Sequence, residues 1–300
     1  MAEIIVHEVG PRDGLQVEKQ VVPTDKKLAW IRALIAAKVD IVQVGSFVHP
    51  EKVPQMADTD NLFRTLSGEA RGKTILSGLA LNEKGVERGM ACGVEMFCLG
   101  VSASETHSTK NTGMGSQEAQ RRIIAVAQQA VAAGKKVQVS VQSAFGCGFE
   151  GAIPEERVLG IVRSYLEAGL TNVSLADTAG HAHPVQVKRL VGEIRKLSPD
   201  IRLTCHFHDT YGLGMANVYA ALDSGVTIFE SSFAGLGGCP FTKVAAGNVS
   251  TEDLVHSLRR TGLRRDIDLD ALIAVARDVA AHFGRELPGR VYKTGPISYI

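Results

Sequence analysis

Eight short β-rich runs recur along this chain, and the stretches between them are long enough for a helix to cross back over a sheet. Residue patterning predicts strands at 4–9, 41–47, 73–81, 94–100, 137–145, 172–177, 201–208 and 227–233. Apolar residues at helical spacing fill 25–37, 82–91, 116–133, 154–168, 184–197 and 213–222, with Ser116 expected to cap the third of these. Crossovers of this length join parallel strands, and they do so with one hand. None of the strands opens into a GxGxxG turn, so eight βα units fit a closed (β/α)8 or TIM barrel better than an open doubly wound sheet. The expected organisation is one catalytic domain over 1–300, with the barrel ending near 260 and a helical extension over 261–300. An amphipathic helix at 268–283, striped by Leu269, Leu272, Ile273, Ala276 and Val279, covers either the barrel or an interface with a second copy, a dimer being the expected oligomer.

Composition narrows the partners. Lys plus Arg number 33 against 32 for Asp plus Glu, so net charge gives no reason to expect nucleic acid or an anionic membrane, and an anionic ligand must be met by local charge. Cys92, Cys98, Cys147, Cys205 and Cys239 form an odd set without a CxxC pair, which argues against a disulfide framework and a structural zinc knuckle. With acids at Glu3 and Glu8 and no long apolar stretch, the expected location is the cytoplasm.

In a barrel, the carboxyl ends of all strands converge on one mouth. The seventh strand ends in His206-Phe207-His208-Asp209, and residues two apart share a strand face, with Cβ atoms ~7 Å apart. That spacing suits two ligands of one metal ion, and it equally suits two packed histidines. Other strand ends supply Arg12 and Asp13, Gln43, Asp177, and the run Gly235-Leu236-Gly237-Gly238-Cys239-Pro240 followed by Gly247-Asn248. A carboxylate, two imidazoles and an amide oxygen make a ligand set without thiolate, suited to Mg²⁺, Mn²⁺ or Zn²⁺ with positions left open for substrate oxygens. Plainer readings stand beside these. Arg12 and Asp13 also fit a surface ion pair, Asp177 an Asx-turn into the next helix, and Cys239 or Cys147 a buried filler. Even so, four glycines between 235 and 247 around a thiol suggest a loop that closes over a ligand. His49, His107, His181 and His183 read as loop or capping residues.

Several motifs together resemble one family. Glu8-Val9-Gly10-Pro11-Arg12-Asp13-Gly14-Leu15-Gln16, Ser46-Phe47-Val48, Val53-Pro54-Gln55-Met56, the His206 to Gly212 run, the Gly235 to Pro240 run and Thr251-Glu252-Asp253-Leu254 are similar, in collinear order, to 3-hydroxy-3-methylglutaryl-CoA lyases. The isopropylmalate and homocitrate synthases share the Arg-Asp turn and the HxH strand but not the cysteine loop. The resemblance implies a metal-dependent barrel that cleaves an acyl-CoA, 3-hydroxy-3-methylglutaryl-CoA, to acetyl-CoA and acetoacetate. It implies Asp13, His206, His208 and Asn248 as ligands of a divalent metal, Mg²⁺ or Mn²⁺. Arg12 would lie beside the thioester carbonyl and Cys239 would be the proton donor; the cleavage asks a base of this cluster, His206 or Asp13, and the strand-end positions offer Arg12, Gln43 and Asp177 as substrate contacts. Where the family usually has Glu in the second strand this chain has Gln43, which leaves two alternatives: a related substrate such as citramalyl-CoA, or a CoA-binding protein without turnover.

Overall fold

A computed structural model describes residues 3–238 and 247–297 of the protein. Its strands are β1 (Ile5–Glu8), β2 (Ile41–Ser46), β3 (Ile75–Leu79), β4 (Met96–Ser102), β5 (Lys136–Gln142), β6 (Asn172–Asp177), β7 (Arg202–Phe207) and β8 (Ile228–Ser231). They pair in parallel in that order, and β8 closes on β1, giving the expected TIM barrel. The helices are α1 (Thr24–Ala36), α2 (Thr59–Ser67), α3 (Glu83–Cys92), α4 (Glu105–Thr112), α5 (Ser116–Ala132), α6 (Glu155–Glu167), α7 (Pro184–Leu197), α8 (Gly214–Asp223), α9 (Thr251–Arg260), α10 (Leu269–Phe283) and α11 (Val291–Thr294).

Alternation along each strand sorts the side chains into two environments. Outward residues such as Val42, Val44, Val139, Val141, Leu203 and Cys205 join the large apolar layer beneath the helices. Ile41, Met96 and Cys98, with Ile5, Ile75 and Leu79, form a small separate apolar cluster inside the barrel. At the same inward-facing positions lie His7, Gln43, Ser77, Gln138, Thr204, His206 and Glu230, all buried and polar. A barrel normally fills this space with branched apolar side chains, so a polar interior marks the place where the fold gives up packing for chemistry.

Helix ends differ from the sequence reading in instructive ways. Gly115, not Ser116, occupies the cap position of α5, and the Glu105 carboxylate accepts the Ser116 N–H at 2.9 Å. Asn82 caps α3 instead of belonging to it, accepting the Gly85 N–H at 2.9 Å. Helix α4 escaped detection because its buried residues are His107 and Ser108 and no apolar stripe exists to find; Ser104 caps it by accepting the His107 N–H. Helix α10 packs on α1, where Trp30 Nε1 donates to Asp278 Oδ2 at 2.6 Å, and its apolar stripe is buried within the chain. That stripe therefore covers the barrel, the first of the two roles expected for it.

Candidate metal centre and cavity

Beyond β1 the backbone coils tightly over the barrel mouth. The Val9 carbonyl accepts N–H groups from Arg12, Asp13 and Gly14 at 3.0, 2.7 and 3.4 Å, winding residues 10–14 into one wide π-type turn. Glu8 anchors this turn to the far side of the seam, because its Oε1 accepts the Gly10 N–H at 2.7 Å and the Phe233 N–H at 2.9 Å. The turn carries Arg12 and Asp13 inward. Arg12 Nε donates to Gln43 Oε1, and its NH1 donates to Asp13 Oδ1 at 2.5 Å. The Arg12–Asp13 pair predicted at the strand end is thus formed, and Gln43 of β2 is its neutral third member.

The other oxygen of Asp13 meets both histidines. Asp13 Oδ2 lies 3.7 Å from His208 Nε2 and 3.9 Å from His206 Nε2. Segment 247–250 returns beside the end of β7, where the Val249 N–H donates to the Phe207 carbonyl and Asn248 bridges to His208. This brings Asn248 Nδ2 to 2.9 Å from Asp13 Oδ2. The three ligand atoms of Asp13, His206 and His208 lie within 4.8 Å of one another. Atoms sharing one ion at ~2.1 Å stand roughly 3–4 Å apart, so the spacing fits a single metal. Asn248 Oδ1 is buried at this site with no hydrogen-bond partner among the described residues. A buried amide oxygen left unpaired beside two imidazoles and a carboxylate is the donor set that a divalent cation would satisfy.

Glu230 completes the cluster, and sequence reasoning missed it. Its Oε2 accepts a hydrogen bond from His206 Nδ1 at 2.8 Å, which leaves the His206 Nε2 lone pair facing Asp13. Burial pushes the Glu230 carboxyl up, but the hydrogen bonds and charge of His206 and His7 outweigh it and hold the group below the usual carboxylate range. Burial likewise opposes ionisation of Asp13, yet the Arg12 charge, His208 and His206 keep its pKa well below normal. His206 is lowered by burial and raised more by Glu230 and Asp13; His208, with less compensation, ends below its ordinary value. A single acidic residue inside an otherwise apolar strand, Ile228-Phe229-Glu230-Ser231, was the available signal.

The remaining candidates are placed unequally. A cavity of about 500 Å³ runs from Cys98, Gln138 and Ser174 inside the barrel, past Arg12, Asp13, His206 and His208, to the exposed Lys52 and Arg122 at the rim. Asp177 is not among its lining residues; its Oδ1 accepts the His181 and Ala182 N–H groups at 2.8 and 3.2 Å, the turn role that the sequence also allowed. Burial pushes its pKa up to about 7. Cys147 is buried with Sγ 3.1 Å from Ser104 Oγ, away from the cavity. Cys239 lies outside the described residues; Gly238, just before it, lines the cavity.

The HMGL-like family model matches residues 3–279. The chain belongs to the HMGL-like family. Among its relatives, hydroxymethylglutaryl-CoA lyase YngG of Bacillus subtilis (strain 168) is 33% identical over 288 residues, covering 96% of each chain. The (R)-citramalyl-CoA lyase of Chloroflexus aurantiacus is 36% identical over 307 residues, covering 99% of this chain and 96% of its own. A solved HMG-CoA lyase from A. baumannii, in complex with coenzyme A and 3-methylmalate, superposes with a TM-score of 0.92 at 40% identity, covering 99% of this chain and 97% of that one. Among the described residues, no helix is long and apolar enough to cross a membrane.

Proposed function

We propose that the protein cleaves 3-hydroxy-3-methylglutaryl-CoA to acetyl-CoA and acetoacetate. The observation that carries this reading is the convergence of Asp13, His206 and His208 beside Arg12 on one cavity, in a chain related over nearly its whole length to enzymes of that name. The reaction is a retro-Claisen cleavage. The C3 hydroxyl loses its proton, its oxygen becomes the acetoacetate ketone as the C2–C3 bond breaks, and the bonding pair remains on C2 as an acetyl-CoA enolate.

Asp13, His206, His208 and Asn248 would hold Mg²⁺ or Mn²⁺, whose Lewis acidity lowers the pKa of a bound alcohol. Of the two candidate bases, Asp13 and His206, Asp13 keeps a free lone pair, because His206 donates Nδ1–H to Glu230 and turns Nε2 toward the cluster. Arg12, oriented from two sides by Gln43 and Asp13, presents its guanidinium to the thioester oxygen as negative charge develops there. Cys239 returns a proton to C2. An acyl-CoA enters past the rim, where Lys52 offers a positive charge to its phosphates and Arg122 is held by Glu83. The free thiols of Cys92, Cys98, Cys147 and Cys205 suit a reducing compartment, the cytoplasm.

Assay of metal-reconstituted protein against 3-hydroxy-3-methylglutaryl-CoA, citramalyl-CoA and a longer-chain analogue tests the proposal. Product release from the first, abolished together with metal binding in His208→Ala, is the expected result. Absence of acetoacetate, or preference for another acyl-CoA, overturns it.

A further inference from the structure

Glu230 takes no step in the chemistry above, yet it and Asp13 are the two carboxylates among the described residues lining the cavity. It is 8% exposed, and a buried carboxylate is costly unless its charge is engaged. Each of its oxygens faces a histidine, and strand register explains how. Glu230 pairs across β7–β8 with His206 and across β8–β1 with His7, so the three side chains form a row at one level of the barrel. Oε2 lies 2.8 Å from His206 Nδ1, and Oε1 lies 3.5 Å from His7 Nδ1. His7 is fully buried, and its Nε2 shares a hydrogen bond of 2.8 Å with Ser77 Oγ. A chain of four groups thus runs from β3 across β1 and β8 to the face of His206 turned away from Asp13.

We infer that Glu230 is a positioning residue for the metal centre, holding His206 in the tautomer whose Nε2 lone pair faces Asp13 and adding a negative charge that strengthens the cluster's grip on a divalent cation. The inference rests on the reading of Asp13, His206 and His208 as ligands. His7, itself oriented by Ser77, faces the second carboxylate oxygen at 3.5 Å and so favours this orientation of Glu230. The neutral Gln43 makes this contribution count: with an amide on β2, the cavity wall has no third carboxylate among the described residues to share the charge. Partners that orient a ligating imidazole typically change metal affinity 10- to 100-fold when removed.

The test is titration of Mn²⁺ into chelator-stripped protein by calorimetry, with Tm of the metal-free protein measured in parallel. Glu230→Gln preserves volume and removes the charge and the fixed acceptor. A rise in Kd of about tenfold or more is expected, and metal-free Tm reports separately what the loss of the paired charge costs the fold. A smaller rise overturns the inference, whatever happens to Tm; a residue that merely filled the barrel would lower Tm and leave Kd alone. If Glu230→Gln shows no cooperative unfolding, His7→Gln decides, since it leaves Glu230 and every proposed ligand in place: a Kd rise of about threefold or more is expected, and less overturns the relay. Wild-type and His208→Ala proteins separate the two levels of failure. If wild type binds no Mn²⁺, or His208→Ala binds it equally well, the ligand reading falls and this inference with it. If His208→Ala abolishes binding and Glu230→Gln does not weaken it, the inference alone is wrong.

Discussion

Replacing Gly237 by alanine should damage the metal centre by a route that can be followed atom by atom. Gly237 has φ +122°, which side chains rarely adopt, and an added Cβ would lie 2.3 Å from Asn248 Nδ2 and 3.4 Å from Asp13 Oδ2. The nearer contact is more than ~1 Å too short for van der Waals packing. Its target cannot swing aside freely, because Asn248 Nδ2 donates to Asp13 Oδ2 and to the Leu236 carbonyl, both at 2.9 Å. Opening the contact to ordinary distance moves the amide by about 1 Å and carries both bonds out of hydrogen-bonding range. Two lost bonds at ~1 kcal/mol each, with backbone strain of ~1–3 kcal/mol, give a cost of ~3–5 kcal/mol. For a chain of this size that corresponds to a fall in Tm of roughly 5–8 °C. Because the displaced amide carries the unpaired Oδ1, Mn²⁺ affinity should fall on the order of 10- to 100-fold as well. Thermal unfolding in chelator and calorimetric Mn²⁺ titration measure the two effects separately. A lowered Tm with unchanged Kd would refute the placement of Asn248 at the metal; an unchanged Tm would refute the steric argument itself.

Gln43→Glu should shift the ratio of kcat/KM between 3-hydroxy-3-methylglutaryl-CoA and a competing acyl-CoA by about tenfold, ~1.4 kcal/mol, because it converts a neutral acceptor for Arg12 Nε into a charged one. Equal fold changes for both substrates would show that position 43 tunes general activity alone. Cys239→Ser should lower turnover by orders of magnitude at unchanged Mn²⁺ affinity, a hydroxyl being a poorer acid than a thiol of pKa ~8.5, whereas Cys147→Ser, off the cavity, should do little; the opposite ranking moves the acid elsewhere. Glu252 binds the Ala234 N–H at 3.0 Å, and burial first, then Asp253, pushes its carboxyl from 4.5 to about 8. The folded state therefore holds this proton over a range where the unfolded chain releases it, and the associated stability, full below pH 4.5, is lost as pH rises through about 8. Glu252→Gln should flatten the decline of Tm across that window, and parallel Tm–pH curves for the two proteins would count against the assignment.

The parts legible in the sequence are those governed by local periodicity. Val42, Val44, Leu203 and Cys205 alternate because one face of each strand must meet helices, and that alternation also showed that His206 and His208 share a face. Arg12 and Asp13 could be placed near them because both follow a strand, and every strand end in a barrel opens on the same mouth. Glu230 and His7 could not. Their pairing depends on register across the β8–β1 seam, between residues at opposite ends of the chain, and no local pattern encodes closure. Asp177 shows how one position can carry two readings: the Asx-turn chemistry of Asp-Thr-Ala-Gly describes the hydrogen bonds of its Oδ1, while its buried Oδ2 has no hydrogen-bond partner among the described residues.

Charge balance in the cavity links these residues to the choice of substrate. With both cluster imidazoles neutral, Asp13 and Glu230 contribute two negative charges and Arg12 one positive, leaving a net of one negative charge about the cluster. A divalent ion reverses that to one positive charge, which the single acyl carboxylate of 3-hydroxy-3-methylglutaryl-CoA neutralises. Where the bound substrate displaces water, such neutrality matters because an uncompensated buried charge costs several kcal/mol. Removing the charge of Glu230 would leave excess positive charge and weaken the ion's retention; adding one at Gln43 would retain the ion and repel the substrate carboxylate. Opposite changes in metal affinity from these two substitutions follow from the same arithmetic. Glu230→Gln and Gln43→Glu together restore the carboxylate count on the other wall, and the double variant should recover Mn²⁺ affinity only so far as charge, and not the orientation of His206, sets it.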